Sequence, residues 1–580
     1  MKIIRFSILI FNVIIGSSLY SQRVDITDYK SHVKGEDWAP AFQVAFSDGD
    51  MVFIPEGTYY SSEVNIPSNI TIVGEGDNTQ IHPLGKYLFK FEGTESDEIY
   101  LTKDVADFSN ELSLEKTDVF QANDDILLVG QRNSLMLDDC GLDWVLGRTK
   151  NKTCPFGEFL TVAEVRHNSL ITTSNTTYPA YYKDNSRETI LDTYLYQRKG
   201  TSVRKLGMIK NSHLRNLTIV NGDSCDYAVY FKYAEKCSAE QVKVLIGTVK
   251  SRFSAFAINW SKFVVCKGCD TQFSKELTDS LKSISQYGFK AYSRYNIYRI
   301  MTSYGSGFDS CKSDFSTHGF TITSGSGSIP CLGCYVINCY AENALWAGVA
   351  VQQACCNSLL EGNTVRNSAQ GVVSGGRNTI IRNNKVYCGL PKETDYYYAH
   401  VSRGGTSGVG LFEGYALGSI IENNKVVGAR TGIIITDGYE RNNIFVHGNI
   451  QIRGNEVSDC MNGFLLYKNK YNKTYNDLNI ILENNSFFRN KPEEKSMEDM
   501  GSTYGIKIYS GTKGFHIQGN ALSQFKYGVF VSSPCQISIK DNVIQDSTYG
   551  IGKKIVDDKE VEINSQNNAF VRTKHKEIKM

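Results

Sequence analysis

Ten glycines, each followed by alternating apolar residues, dominate the second half of the chain and leave few folds open to it. They begin Gly288-Phe-Lys-Ala, Gly319-Phe-Thr-Ile, Gly348-Val-Ala-Val, Gly371-Val-Val, Gly408-Val-Gly-Leu, Gly432-Ile-Ile-Ile, Gly463-Phe-Leu-Leu, Gly505-Ile-Lys-Ile, Gly528-Val-Phe-Val and Gly550-Ile-Gly. Successive glycines lie 31, 29, 23, 37, 24, 31, 42, 23 and 22 residues apart. A second series sits between them, in which asparagine precedes a short apolar pair. It runs Asn363-Thr-Val, Asn384-Lys-Val, Asn424-Lys-Val, Asn455-Glu-Val, Asn485-Ser-Phe, Asn520-Ala-Leu, Asn542-Val-Ile and Asn568-Ala-Phe. Two interleaved strand signals with a minimum period of 22 residues describe one turn of a solenoid. The predicted fold class is therefore all-β, a parallel β-helix.

The start of the chain supports this independently. Ala39-Pro-Ala-Phe-Gln-Val-Ala45 reads as a short amphipathic helix. Gly49-Asp-Met-Val-Phe-Ile-Pro-Glu-Gly-Thr-Tyr59 and Ile66-Pro-Ser-Asn-Ile-Thr-Ile-Val-Gly-Glu-Gly76 follow it as short strands. This order resembles the N-terminal cap of the pectate-lyase-like superfamily of right-handed parallel β-helices, a group of polysaccharide lyases, glycoside hydrolases and tailspikes. Such a cap covers strand edges that an open solenoid end would expose. The resemblance implies a right-handed helix and a carbohydrate substrate.

Residues 1–21 read as a signal peptide. Lys2 and Arg5 precede an apolar stretch from Ile8 to Ile15, and Ser18-Leu-Tyr-Ser21 forms a small-residue exit. No cysteine follows that stretch as a lipid anchor would need, and no later segment is apolar for long enough to cross a membrane. The expected product is secreted or periplasmic. Residues 22–96 are assigned to the cap and first coils, and 97–183 to an inserted small β-barrel-like lobe. Residues 184–570 are the main helix, and 571–580 a polar, solvated tail.

A net charge of +1 and the lack of basic runs give no footprint for nucleic acid. Fifteen cysteines in an exported chain would suggest disulfides, and their odd number leaves at least one unpaired. Cys339, Cys355, Cys388 and Cys460 fall at inward positions and read as buried thiols. Cys140 and Cys154 flank a loop and are the best-placed pair. Cys266-Lys-Gly-Cys269 and Cys331-Leu-Gly-Cys334 each have the spacing of half a zinc site. The glycine in each places it at a coil turn, and no metal is assigned.

Strand alternation points the second and fourth residues after each glycine to solvent. Polar, reactive types crowd these positions in the early coils: Tyr230, Lys232, Asn259, Lys290, Tyr292 and Gln352. From Val373 to Leu465 the second position is apolar or glycine, which reads as a plain supporting face. A groove is thus expected over residues 225–355. Arg294 ends one strand there, and Asp309, Asp314 and His318 precede the next. Some members of the superfamily carry a basic residue and a histidine before this kind of strand, and Thr317-His318-Gly resembles that arrangement with Thr317 in the basic position.

Cleaving an acidic, uronate-containing polysaccharide by β-elimination needs three things: a cation on the carboxylate, a base for the C5 proton and an acid for the leaving oxygen. The catalytic candidates are His318, Lys290, Tyr292 and Arg294. Tyr230, Lys232, Asn259, Asp309, Asp314 and Gln352 are substrate-binding candidates. No cofactor is required, and calcium is the one ion that would serve in place of a side-chain cation. A basic, tyrosine-rich face ranks a lyase above a hydrolase of the polygalacturonase type, for which Asp309 and Asp314 would be the carboxylate pair. The third alternative is a non-catalytic carbohydrate-binding rod.

Overall fold

The computed structural model describes residues 22–131, 155–177, 181–184, 200–221, 225–247, 253–277, 296–323, 330–344, 346–352, 355–388, 406–411, 418–436, 448–467, 476–490, 502–509, 512–532, 535–554 and 561–579. The leader, Cys140, Cys154, Lys290, Tyr292 and Arg294 lie outside them. Each coil contributes three short strands, as in Gly307–Asp309, Lys312–Asp314 and His318–Thr323. The next coil repeats them in parallel as Tyr335–Ile337, Tyr340–Glu342 and Ala347–Val351. Stacking builds a 28-stranded sheet that carries the first two ladders and a 15-stranded sheet that carries the third. At about 4.8 Å per rung, the 15-stranded sheet is roughly 67 Å long.

The glycines open the third strand because a side chain there has no room. A Cβ on Gly319, Gly505 or Gly528 would stand 2.6, 2.6 or 2.7 Å from the carbonyl oxygen of the next coil's glycine. The asparagines turn the chain between the first two ladders. Residues 383, 423 and 484 are asparagines with φ of 57°, 56° and 55°, a left-handed conformation that asparagine tolerates. The asparagine that follows each is buried. Asn384 Oδ1 accepts both the backbone N–H and the side-chain Nδ2–H of Asn363 at 2.9 Å, and Asn424, Asn455, Asn485, Asn520, Asn542 and Asn568 continue the stack. Buried amides are thereby satisfied from coil to coil.

Cysteines fill the same slot in the earlier coils. The backbone N–H of Cys339 donates to Asn363 Oδ1 at 3.0 Å, and that of Cys311 donates to Cys339 Sγ at 3.4 Å. Cys269, Cys266, Cys331, Cys334, Cys355, Cys388 and Cys460 are also buried. The two Cys-x-Gly-Cys pairs point into the coil, where Cys269 and Cys334 donate to backbone carbonyls.

The helix Ala39–Asp48 closes the N-terminal end, setting Phe42 edge-on to Phe89 at 6.3 Å. Antiparallel strands from Thr94 to Gly207 form the lobe, with a core of its own that includes Ile126, Leu160, Leu170 and Val203. Its junction with the helix is apolar in part, with Leu127, Val129 and Phe159 packed against Tyr233 and Tyr304, and ionic in part. Asp125, 4% exposed, receives Lys210 and Lys262 at 2.6 Å each, and both lysines also reach Glu235. After the lobe the helix resumes in register, with Tyr227–Lys232 beside Tyr87–Glu92.

Three expectations are corrected. The strand between Ser254–Asn259 and His318–Thr323 is Asn296–Met301, so Arg299 holds the outward position expected of Lys290. The segment after Arg572 is largely exposed, as expected, but it is a strand and not a loose tail: His575–Lys579 pairs with Tyr549–Lys553 and extends the third ladder. The later outward positions are not an exposed plain face either, since Val373, Ile434 and Leu465 are each under a tenth exposed.

Candidate functional site

The outer face of the 15-stranded sheet carries three columns of side chains through its early coils, read from the strand register. The first column is Tyr87, Tyr227, Ser254, Asn296 and His318. The second is Lys90, Tyr230, Ala257, Arg299 and Thr321. The third is Glu92, Lys232, Asn259, Met301 and Thr323. Five rungs span about 19 Å from first to last.

At the N-terminal end three tyrosines form one cluster. Tyr87 stacks on Tyr227 at 5.0 Å, and Tyr230 stands 5.1 Å from both. Burial, with Tyr230 and Tyr227 beside it, pushes the Tyr87 hydroxyl up to about 12, and burial raises Tyr230 although Asn259 hydrogen-bonds it. These are neutral hydroxyls at any physiological pH. Lys90 and Lys232 both pair with Glu92, and Lys90 also reaches Glu63 at 3.1 Å. Burial raises the Glu92 carboxyl, but the hydrogen bonds from Lys90 and Lys232 outweigh it and hold the group below its ordinary value. The lysines here are thus compensated.

Arg299 is not. It has no carboxylate partner among the described residues, and its buried Nε has no hydrogen-bond acceptor. Its guanidinium leans back over the small Ser254 and Ala257 of the intervening coil to lie 5.7 Å from the centre of the Tyr227 ring. Two more buried polar atoms on this face, Asn259 Oδ1 and Thr321 Oγ1, also have no partner among the described residues. Orphaned buried polar groups are rare in folded proteins, and here three fall on three consecutive rungs.

His318 lies one strand beyond Arg299. Asn296 Oδ1 stands 3.0 Å from its Nδ1, and the Trp346 ring is 6.1 Å away. An amide oxygen accepts the Nδ1–H and leaves Nε2 with its lone pair. Burial lowers the His318 pKa to about 4, so the ring is neutral across the physiological range.

The structure therefore brings Tyr230, Lys232 and Asn259 together and sets His318 on the same face. It does not bring in the aspartates. Asp309 and Asp314 belong to the first two ladders, and Asp314 Oδ1 accepts from Phe315 N–H and Asn343 Nδ2, the bonding of a turn residue. Gln352 ends the next rung, with its backbone N–H on Ile322. Sequence reasoning missed Tyr87, Lys90 and Glu92, which precede the lobe, and Arg299, whose strand lacks the leading glycine. The alternation in Ile297-Tyr-Arg-Ile300 was the signal available for Arg299.

Among the described residues no group of three or more His, Cys, Asp or Glu side chains is placed to hold a metal, and no helix is long and apolar enough to cross a membrane.

The family model for a right-handed β-helix region matches residues 333–522. Comparison with curated protein sequences finds no match. Among solved structures, the chain is similar to the tailspike gp61 of Pseudomonas phage phi297, with 12% identity, a TM-score of 0.51, and coverage of 95% of this chain and 80% of that one. It is similar also to the tailspike gp49 of Pseudomonas phage LKA1, with 14% identity, a TM-score of 0.51, and coverage of 90% and 78%. At these identities the likeness is one of fold: a right-handed parallel β-helix.

Proposed function

We propose that the chain is a carbohydrate-active enzyme that cleaves an acidic polysaccharide by β-elimination on the outer face of the 15-stranded sheet. The observation that carries this reading is Arg299, a half-buried cation with no counter-ion among the described residues, on the early coils where Lys90 and Lys232 are compensated. A uronate carboxylate is the group that would satisfy it, and neutralising that carboxylate makes the C5 proton acidic.

In this reading His318 Nε2 accepts the C5 proton. The electron pair forms the C4–C5 double bond, and the C4–O bond breaks. The departing oxygen takes a proton from solvent, because Tyr227, three rungs from His318, is too far away to reach it. His318 then gives its proton back to solvent. Asn259, Tyr230 and Thr321 supply hydrogen bonds to sugar hydroxyls. A hydrolase needs two carboxyl groups about the scissile bond. Glu92 is tied to two lysines and Glu63 to Lys90, so the hydrolytic reading gains nothing from them.

The test is incubation with a panel of uronate polysaccharides, following ultraviolet absorbance and reducing ends together. New absorbance with new ends supports elimination. New ends without absorbance would mean hydrolysis, and binding with neither would mean a non-catalytic rod.

A further inference from the structure

The same sheet carries a second polar cluster six rungs beyond His318–Thr323, about 29 Å along the axis. Between the two, the outward column is Ala350, Val373, Gly410, Ile434 and Leu465, with no charge. At the Tyr504–Ile508 rung it becomes Lys507. The Lys507 ammonium lies 3.7 Å from the centre of the Tyr504 ring and 4.5 Å from that of Tyr509. It has no carboxylate partner among the described residues. Tyr467, on the preceding rung, and Tyr509 are 48% and 37% exposed, so each turns part of its ring to solvent.

The column before the glycine is a stack of aromatic rings. Tyr504 and Tyr527 are 5.2 Å apart, Tyr527 and Tyr549 4.9 Å, and Tyr549 and His575 5.3 Å. Phe530 fills the next outward position and touches both Tyr504 and Tyr527. This stack fixes the ring beside Lys507, so the ammonium is held in place rather than swinging free. Burial and then the nearby Arg430 lower the Lys507 pKa to about 8, as expected of a cation with no anion beside it.

We propose that Lys507, Arg430, Tyr467 and Tyr509 form a second carbohydrate subsite that takes an anionic sugar of an acidic glycan chain. The anionic group sits on the Lys507 ammonium, with Arg430, next to Thr431 two rungs back, adding positive charge, and the exposed Tyr467 and Tyr509 rings take the apolar face of the sugar. A bound anion would restore the full charge of Lys507. The intervening uncharged column separates this subsite from the groove around Arg299. A long chain lying along the sheet would meet both, and a short one only one. The ligand class rests on the reading of the chain as acting on acidic glycans, but the placement of the subsite does not.

The test uses the full chain carrying Arg299→Ala and His318→Ala, so that the groove is disabled. It is titrated by calorimetry at low salt with oligogalacturonate, oligoalginate and chondroitin oligosaccharides, and with neutral maltohexaose. The acidic oligosaccharides are expected to bind and maltohexaose not to. Lys507→Met is expected to weaken binding by about tenfold or more, the loss of one charge-assisted contact, and Lys507→Arg to restore it. Lys526→Met, an exposed lysine nearby, should change little. In parallel, acetic anhydride labelling read by mass spectrometry should show Lys507 protected by the acidic oligosaccharides alone. Failure of every acidic oligosaccharide to bind, or binding indifferent to Lys507→Met, overturns the subsite. Turnover by the unaltered chain is measured separately: binding at Lys507 without turnover refutes the enzyme and leaves the subsite standing, and turnover without that binding does the reverse.

Discussion

The Nδ1 nitrogen of His318 stands 3.0 Å from Oδ1 of Asn296, its register partner on the preceding coil. That contact sets which nitrogen is the base, and burial sets when it is available. With a pKa near 4, His318 is neutral throughout the range in which an ordinary histidine titrates. The acid limb of kcat/KM should therefore fall near pH 4 and show no step near 6.5. Asn296→Leu should lower kcat by about tenfold to a hundredfold with little change in KM, because the ring loses the acceptor that fixes its tautomer. A step near 6.5 in the unaltered protein would remove His318 from the mechanism.

The same burial has a consequence for stability. The unfolded chain protonates His318 below about 6.5 while the folded chain keeps it neutral down to about 4. Between those values the unfolded state binds the extra proton, so stability rises with pH and is lost as pH falls, by at most about 1.4 kcal/mol per pH unit. Urea titrations at pH 4.5 and 7 should differ less in His318→Phe than in the unaltered protein.

The lobe is pinned by a buried charge. Burial raises the Asp125 carboxyl, but Lys210 and Lys262 outweigh it and hold its pKa below the ordinary value. Its contribution is complete above the unfolded carboxylate pKa and disappears as pH falls through the lower folded value. Asp125→Ala leaves Lys262, which is 9% exposed, without its closest partner. The expected loss is about 3–5 kcal/mol, read as a lower urea midpoint, with proteolytic release of the lobe before the helix.

Within the helix, Asn424→Ala should cost about 1–3 kcal/mol, because the N–H and Nδ2–H of Asn384 lose their shared acceptor. The thirteen described cysteines are all buried, and burial lifts Cys388 to about 12 and keeps it in the unreactive thiol form. In a Cys140→Ser, Cys154→Ser protein, a thiol reagent should titrate almost none of them until denaturant is added.

The repeat itself was legible because its causes are local. The glycines answer a steric clash with the next coil, and the paired asparagines answer one turn and one buried amide. Both leave a fixed residue at a fixed phase. The thiols of Cys269, Cys311 and Cys339 occupy the asparagine slot, but only Cys339 was read as a buried thiol, and Cys269 was read as part of a coil turn. Their shared ladder needs the register, which the sequence does not display. The site was half legible. Tyr230, Lys232 and Asn259 could be placed by alternation in strands where Ala228 and Ala255 take the glycine's slot, and His318 beside Gly319. Before Arg299 that slot holds the bulky Ile297, so the phase was assigned to Gly288 and Lys290 nearby. Tyr87, Lys90 and Glu92 come from before an insertion, and only the strand pairing across it shows that they share the face. The aromatic and cationic cluster at Lys507 was passed over because the apolar outward positions before it suggested a uniform face.

The central claim is that Arg299 neutralises a uronate carboxylate so that elimination can proceed. The most direct measurement is the initial rate of ultraviolet absorbance on the best uronate polysaccharide, for the unaltered chain, Arg299→Lys and Arg299→Ala, with folding checked by thermal unfolding. The expected result is a steady rise for the unaltered chain, partial activity for lysine, and a loss of about a hundredfold or more for alanine, the scale of one removed electrostatic stabiliser. Unchanged absorbance kinetics in folded Arg299→Ala, or no absorbance from any uronate polysaccharide with the unaltered chain, would contradict the account.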